Sequence, residues 1–388
     1  MDFTLSVEEK ELRDKAKDFV QNEMLPLEKD WPVSEFDIDK ELTLKIRKRI
    51  RELGFDYIDV PKEYGGHGKS TMASVLVLEQ LKYTWVLNNW VVHRAMNPHP
   101  GLFTAPEYQK EKYLYPVVSG KKDFGFYFSE HSAGSDVAGM KATAIREGDH
   151  YIINGLKTFG VPLNDIDYGI VYAYTDPTKR QRGISAFLVD CDNPGMKQVK
   201  LSKTMGPYQK VAEIELKNCI VPASNLLGKE GEGFFMGMKQ LNANRLYICA
   251  GILGVAQRCF EMAVEYSKKR ETFGEPLAER QAIQWMLVDS ASEIHMARLL
   301  LYHAAWKIDK GLDVRMETAM AKATCAELIS KVIDRAIQVY GGLGYLEETR
   351  LEGAYRFWRK VRLAEGSTEV MRITVCKSIL KDASLNLW

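Results

Sequence analysis

Tyr168-Gly-Ile-Val-Tyr-Ala-Tyr174 and Ile184-Ser-Ala-Phe-Leu-Val189 are separated by the polar segment Thr175-Asp-Pro-Thr-Lys-Arg-Gln-Arg-Gly183. Both runs are short and rich in β-branched and aromatic residues, the side chains that pack well on a pleated surface, and the segment between them carries turn-forming Asp, Pro and Gly. They predict two strands with a solvated hairpin connection. Residues 124–128, 151–153 and 212–216 read the same way, so residues 123–232 are expected to form a small middle β domain.

Outward from this island the hydrophobic period lengthens. Upstream, Ser6 and Glu9 have the S-x-x-E spacing of a capping box, in which each side chain bonds the other's free backbone N–H. Leu12, Ala16, Phe19 and Val20 follow at helical spacing. Helical patterns recur over 42–53, 72–87 and 107–118, interrupted by Val60-Pro-Lys-Glu-Tyr-Gly-Gly-His-Gly68, so residues 1–122 are expected to be an N-terminal α-helical domain. Downstream, Pro276 is the only proline from Gly233 onward, and long amphipathic runs cover 236–269, 280–310, 316–341 and 367–381. Residues 233–388 therefore read as a second, larger helical domain, and the class is α+β.

A chain of 388 residues exceeds one ordinary core, which agrees with several domains. Fifty-three basic residues against 52 acidic ones leave a formal charge of +1, without the excess that draws a protein to nucleic acid or an anionic bilayer. With 46% apolar and 27% charged residues the chain is neither disordered nor fibrous, and no uninterrupted apolar stretch approaches the about 18 residues of a membrane span. The six cysteines are scattered, with no CxxC pair, which fits a reducing compartment. The opening MDFTLSVEEKELRDKAKDF is charged and amphipathic where a secretory signal needs an apolar run. A cytoplasmic protein is expected.

Several suggestive patterns fail on context. The glycines of 228–233 and Gly341-Gly342-Leu343-Gly344 lack the strand-then-helix setting that brings backbone amides to a pyrophosphate. Gly68-Lys69-Ser70 ends like a phosphate loop, but Glu63 stands where its first glycine belongs. His295 and His303 share a helical face without a third ligand, so no metal is expected.

Four longer patterns remain. They are Phe128-Ser-Glu-His-Ser-Ala-Gly-Ser-Asp-Val-Ala-Gly-Met-Lys141, Arg270-Glu-Thr-Phe-Gly-Glu-Pro-Leu277 with Gln281 beyond it, Gln338-Val-Tyr-Gly-Gly-Leu-Gly-Tyr345, and Arg362-Leu-Ala-Glu-Gly-Ser-Thr-Glu-Val-Met-Arg372. Singly, each has a plainer reading: a polar turn, a solvated helix-end charge, a helix cap, and an acid at a helix N-terminus. Together, in order and spacing over essentially the whole chain, they resemble the acyl-CoA dehydrogenase family. The resemblance implies an acyl-CoA dehydrogenase fold with a C-terminal four-helix bundle, FAD as cofactor, an acyl-CoA substrate, an electron-transfer flavoprotein as acceptor, and a homodimer or homotetramer.

Residue by residue, the resemblance makes Glu365 the catalytic base, and the 27 residues between it and Gln338 match the family's spacing. It puts Phe126, Ser129 and Phe159 against the flavin, with Ser135 there and beside the CoA arm. Arg270, Thr272, Phe273 and Gln281 would reach a neighbouring subunit's FAD, where a guanidinium offers forked donors to diphosphate oxygens. Gln338 and Gly342 would meet the adenosine-diphosphate half, and Ser367 and Glu369 would fall near the FAD. Asn242, Arg245 and Gly366 would lie along the substrate. α,β-Dehydrogenation of a thioester needs a base on one face and an oxidised flavin on the other, and a desolvated glutamate gains basicity because burial disfavours its charged form. The same resemblance implies that the thioester oxygen is held by this glutamate's backbone amide and a flavin hydroxyl.

The sequence departs from the family in several places. Gly155-Leu-Lys-Thr-Phe-Gly-Val-Pro-Leu163 stands where the family reads G-x-K-x-W-I-T-N-G. Phe159 can still stack, but Val161 cannot supply a hydroxyl to flavin N5. His131 replaces a proline, adding a polar or titrating group near the flavin. Ala364 precedes the base where straight-chain enzymes often carry tyrosine, which favours a bulky, branched or cyclic acyl group. Arg94 falls, one residue out of register, where glutaryl-CoA dehydrogenases hold a distal carboxylate, and can be read either as a ligand for an acidic acyl tail or as a structural ion pair. The leading expectation is an FAD-dependent acyl-CoA dehydrogenase acting on a bulky, cyclic or carboxylate-bearing acyl group. Its rivals are an FAD- and CoA-binding lyase of the decarboxylase or desulfinase type, motivated by Val161, and a non-catalytic helical binding protein.

Overall fold

The computed structural model describes residues 4–31, 40–88, 97–207 and 209–383. The capping box at the N-terminus forms: Glu9 N–H donates to Ser6 Oγ at 3.2 Å and Ser6 N–H to Glu9 Oε2 at 2.9 Å, opening α1 (Val7–Phe19). α2 (Lys40–Glu52) and α3 (Thr71–Leu81) follow. The helix expected over 72–87 ends early at Leu81 for a tertiary reason. Glu28 accepts hydrogen bonds from the Thr84 hydroxyl at 2.7 Å and from Trp85 N–H at 2.8 Å, so a distant carboxylate takes the donor that a longer helix would use. α4 (residues 107–118) contains a π turn at Lys110–Leu114.

The middle region contributes β1 (Phe124–Tyr127), β2 (Thr143–Glu147), β3 (His150–Gly160), β4 (Tyr168–Tyr174), β5 (Ile184–Asp190), β6 (Met196–Lys203), β7 (Lys210–Pro222) and β8 (Leu226–Leu227). Their order is β6-β7-β3-β2-β4-β5-β8, with β1 parallel to β4. β4 is buried on both faces. Tyr168, Ile170 and Tyr172 face a core shared with α4, while Val171 and Ala173 face a second core with Tyr127, Phe187 and Val189. β4 and β5 pair antiparallel from Tyr168↔Asp190 to Tyr174↔Ile184, and the polar segment between them winds into short 3-10 turns. Sequence reading missed β2 and β6. β6 is an edge strand carrying Lys197, Lys200 and Lys203, a composition that discourages pairing with another chain and hides the apolar alternation.

The C-terminal region is α5 (Gly233–Lys269), the hairpin β9 (Glu271–Thr272) and β10 (Glu275–Pro276), α6 (Gln281–Asp309), α7 (Arg315–Tyr340), α8 (Leu351–Trp358) and α9 (Thr368–Ile379). α8 was not anticipated from the sequence. α5 is the one helix among the described residues long and apolar enough to cross a membrane by length and composition. Here it forms the centre of the bundle, with Ile252, Leu253, Val255 and Ala256 packed among α3, α6 and α7. A Cβ at Gly254 would lie 2.2 Å from the Glu79 carbonyl oxygen, so α3 and α5 cross in backbone contact that only glycine permits.

The glycines of 228–233 do follow a strand and open a helix, contrary to the sequence reading. The cradle is nonetheless filled by protein: Gly231 N–H donates to Ser185 Oγ at 2.9 Å, and a Cβ on Gly231 would meet the Arg182 carbonyl oxygen at 2.2 Å. These glycines let α5 start hard against β5.

Candidate active site

Glu365 lies in a sharp turn between α8 and α9. Its φ is 58° and that of Gly366 is 90°, two successive residues in the left-handed region. Holding a glutamate there costs on the order of 1–3 kcal/mol, a strain that persists only where the surroundings enforce it. They do. Arg245 Nε on α5 donates to the Glu365 carbonyl oxygen at 2.8 Å, and Lys322 Nζ on α7 donates to the carbonyls of Val361 at 2.5 Å and Gly366 at 2.6 Å. Gly366 is favoured by its φ of 90°, which strains any residue with a Cβ, and an added Cβ would also crowd Met371 Cε at 2.7 Å and Arg245 Nη2 at 3.0 Å. Ser367 then caps α9 by accepting from Val370 N–H at 3.3 Å.

The Glu365 carboxyl is withdrawn from water, and its Oε2 is buried without a hydrogen-bond partner. Burial raises its pKa above the ordinary glutamate value, against the opposing pull of Arg245, Lys322 and Asn244. A buried orphan carboxylate oxygen has the character of a proton acceptor awaiting a ligand. The structure thus brings Asn242, Arg245, Glu365, Gly366 and Ser367 together. Arg245 spends its donors on protein, with Nη1 bonded to Asn242 Oδ1 at 2.5 Å and Nε beneath the Glu365 turn. Glu369 is exposed on the first turn of α9, and its own backbone N–H and Ser367 hold its carboxyl below the usual range.

A second cluster lies at the edge of the β domain. Phe126 meets Phe128 edge-on at 5.7 Å and Tyr172 at 5.0 Å. Thr158 N–H donates to the Ser129 carbonyl oxygen at 3.0 Å, which fixes the Ser129 segment beside Phe159. Phe159 has φ 57° and is 71% exposed, an aromatic face presented by a left-handed kink. Beneath it Lys157, fully buried, pairs with Glu130 at 2.7 Å. Glu130 also accepts from the N–H groups of Lys141 at 2.6 Å and Ala142 at 3.0 Å. Ser135 and Gly134 are exposed, and an added Cβ at Gly134 would meet nothing within 4 Å. His131 lies 3.4 Å from Glu213; burial works against ionisation of that carboxyl, but Lys200 and His131 hold it below the ordinary range. Val161 packs partly against the second sheet core, and its carbonyl oxygen accepts from the Tyr127 hydroxyl at 2.7 Å.

The third group is at one end of the bundle. Tyr266 stacks on Tyr340 at 4.1 Å, which brings the ends of α5 and α7 together and with them Arg270, Gln338 and Gly342, all exposed. The β9–β10 hairpin turns on Phe273 (φ 53°) and Gly274 (φ 79°), the two positive φ values of a type I′ turn. Phe273, at its tip, is 98% exposed. Arg280, which sequence reading passed over, braces the hairpin through the Thr272 carbonyl oxygen at 2.7 Å and Glu275 at 3.1 Å. Gln281 begins α6 on the same exposed side. Arg94 lies outside the described residues.

Sequence reading also missed a cavity of about 500 Å³ lined by Thr178, Lys179, Arg180, Gln181, Arg182, Phe234 and Phe235. Lys-Arg-Gln-Arg in the β4–β5 connection was the available signal. Nothing local revealed that α5 would set two phenylalanines behind those cations. Arg180 and Asp136 both act on the Tyr174 hydroxyl, so this cavity neighbours the segment that carries Ser135.

These groups fit a flavin dinucleotide: an exposed aromatic at a kinked strand end, the open glycines Gly341 and Gly342, and exposed arginine and glutamine at the bundle end. Comparison with known proteins gives the same direction. The models of the acyl-CoA dehydrogenase N-terminal, middle and C-terminal domains match residues 6–121, 125–219 and 231–380. The chain is 36% identical over 375 residues to a 3-(aryl)acrylate reductase of Clostridium sporogenes, covering 95% of this chain and 98% of that one. It is 34% identical over 379 residues to the caffeyl-CoA reductase-Etf complex subunit CarC of Acetobacterium woodii, covering 97% and 99%. The solved butyryl-CoA dehydrogenase of Megasphaera elsdenii superposes with a TM-score of 0.88 at 31% identity, covering 98% of this chain and 100% of that one.

Proposed function

The chain belongs to the acyl-CoA dehydrogenase family, FAD-dependent oxidoreductases acting on CH–CH groups, and from that premise we propose that it dehydrogenates a bulky or cyclic acyl-CoA thioester with Glu365 as base. The observation that carries this reading is the buried, unpartnered Oε2 of Glu365 in a turn held from beneath by two cations. In its ionised form Glu365 removes the α-proton, and its raised pKa narrows the gap to the weakly acidic carbon. The backbone amide of Glu365 holds the thioester oxygen as negative charge develops there. FAD, when bound, supplies the hydride acceptor on the other side of the acyl chain. Phe126, Ser129 and Phe159 form its wall in the β domain. Ser367 and Glu369 edge it at the start of α9, and the small Ala364 leaves room for a bulky acyl group.

Arg270, Thr272, Phe273 and Gln281 are proposed to meet the cofactor of a second subunit, together with Gln338 and Gly342. Phe273 at a hairpin tip gains nothing in the isolated chain, which supports a homodimer or homotetramer. An electron-transfer flavoprotein is the proposed electron partner, as the name of the Acetobacterium relative suggests. The carboxylate-bearing alternative rests on Arg94 alone.

The Lys179–Arg182 cavity suits the phosphates and adenine of CoA, with Asn242 and Ser135 along the connecting arm. Replacing Arg180 and Arg182 together by Ser is expected to raise KM for acyl-CoA about tenfold or more, while a truncated acyl-pantetheine keeps its KM. Steady-state kinetics on both thioesters checks this.

The names of the Clostridium and Acetobacterium relatives favour a second reading, in which the same residues work in the reductive direction and protonated Glu365 returns the α-proton to an enoyl-CoA. Anaerobic mixing with saturated and enoyl-CoA panels separates the possibilities. Bleaching of the flavin by a saturated thioester supports dehydrogenation. Reoxidation of the pre-reduced protein by an enoyl thioester, without bleaching by its saturated partner, supports reduction. Product release with the flavin spectrum unchanged throughout would replace both with the lyase.

A further inference from the structure

The Glu365 turn rests on a lysine that no motif singles out. Lys322 is fully buried on α7, and its ammonium donates to the carbonyls of Val361 and Gly366, which bracket Glu365. Two carbonyls alone would not call for a charged group, since a neutral amide satisfies them at far smaller desolvation cost. Among the described residues no carboxylate pairs directly with Lys322. The charges facing the turn are Arg245 from α5, Lys322 from α7 and Glu369 from α9, with the Cys249 thiol of α5 beside Lys322. The buried ammonium therefore has Glu365 as a nearby anion, without a hydrogen bond between them to immobilise the carboxyl.

We propose that Lys322 is a positioning residue for the reaction: through the carbonyls of Val361 and Gly366 it holds the Glu365 turn in its left-handed form, and through space it keeps the Glu365 carboxyl ionisable inside the bundle. This rests on the reading of Glu365 as the base. Arg245 anchors the central carbonyl of the turn and Lys322 the two outer ones, so the three bonds together fix the backbone while leaving Oε2 free. Burial pulls the Lys322 ammonium down to about 8, Cys249, Glu365 and Glu369 oppose that shift, and Arg245 adds to it. Lys322 is thus charged at neutral pH and loses its proton in mild alkali.

The test uses the FAD-loaded protein and two variants, K322M and K322Q. Flavin content and thermal midpoint report folding, and anaerobic flavin reduction reports the chemistry. Infrared difference titration of the Glu365 carboxyl band, identified by its loss in E365Q, reports the electrostatics. In K322M, FAD is expected to stay bound, the maximal reduction rate to fall about a hundredfold with KM little changed, and the Glu365 midpoint to rise by about one pH unit. K322Q is expected to recover part of the rate, because it restores a donor, but to keep the raised midpoint, because it restores no charge. A folded K322M with the wild-type rate and midpoint overturns the proposal. If K322M does not fold, the wild-type band decides: its frequency should step a second time near pH 8 as Lys322 deprotonates, and a single step overturns the proposal. Should E365Q itself still reduce the flavin, the base lies elsewhere, and the band titration still decides what Lys322 does to Glu365.

Discussion

Replacing Glu365 by Gln is expected to leave the protein folded and yellow while slowing flavin reduction by acyl-CoA about a thousandfold to ten-thousandfold. The amide is nearly isosteric and can occupy the same left-handed position, so the bonds from Arg245 and Lys322 to the turn carbonyls survive. What disappears is the buried, unpartnered carboxylate oxygen proposed to accept the proton. Because burial raises the Glu365 pKa, the wild-type reduction rate should climb with pH until the carboxyl is ionised, and the residual rate of E365Q should be flat across the same range. Rapid-mixing absorbance under anaerobic conditions measures both. A variant that bleaches at the wild-type rate would move the base to another residue. A colourless variant would mean that the turn is needed to retain FAD, and the rate would then have to be read after reconstitution.

The largest effect on stability is expected at Lys157. Its ammonium and the Glu130 carboxylate are both buried and 2.7 Å apart, and Glu130 also holds the N–H groups of Lys141 and Ala142. Breaking such a pair leaves an uncompensated charge, so K157M should lose about 3–5 kcal/mol of stability. The double variant E130Q/K157M, which removes both charges, should recover part of that loss, since the new amide can accept from only one of the Lys141 and Ala142 N–H groups. Function should fall with the single change as well. The pair ties the Phe128–Glu130 segment to the end of β3, which carries Phe159, and FAD content should drop in parallel with the denaturation midpoint. Urea unfolding followed by tryptophan and by flavin fluorescence separates the two. Equal midpoints for K157M and the double variant would show that the pair adds nothing beyond packing.

Some of this site could be read without coordinates. Glu365, Arg270 and Gln338 stand in motifs whose order and spacing carry the family signal, and the α/β/α sequence of domains follows from a change of hydrophobic period. The missed elements are those whose local signal is weak. β6 is a lysine-rich edge strand, and α8 is a short helix of eight residues that buries its own Phe357 and Trp358 in the bundle core. The helix after Thr71 stops where Glu28, far away in sequence, takes its next donors. The glycines of 228–233 had a strand before them too short to register, and the cations of 178–182 gained a cavity only when α5 brought Phe234 and Phe235 behind them.

The sequence by itself determined the fold class, the family and the residue types available for proton abstraction and cofactor binding, because periodicity and motif spacing are properties of the chain in one dimension. Tertiary structure alone decided the surroundings of Glu365. Its left-handed turn is held by Arg245 on α5 and Lys322 on α7, 120 and 43 residues distant in sequence, while its shielded oxygen and raised pKa come from the exclusion of water where those helices meet, against the pull of the same two cations. Desolvation and charge placement depend on distance in space, and no spacing along the chain encodes them.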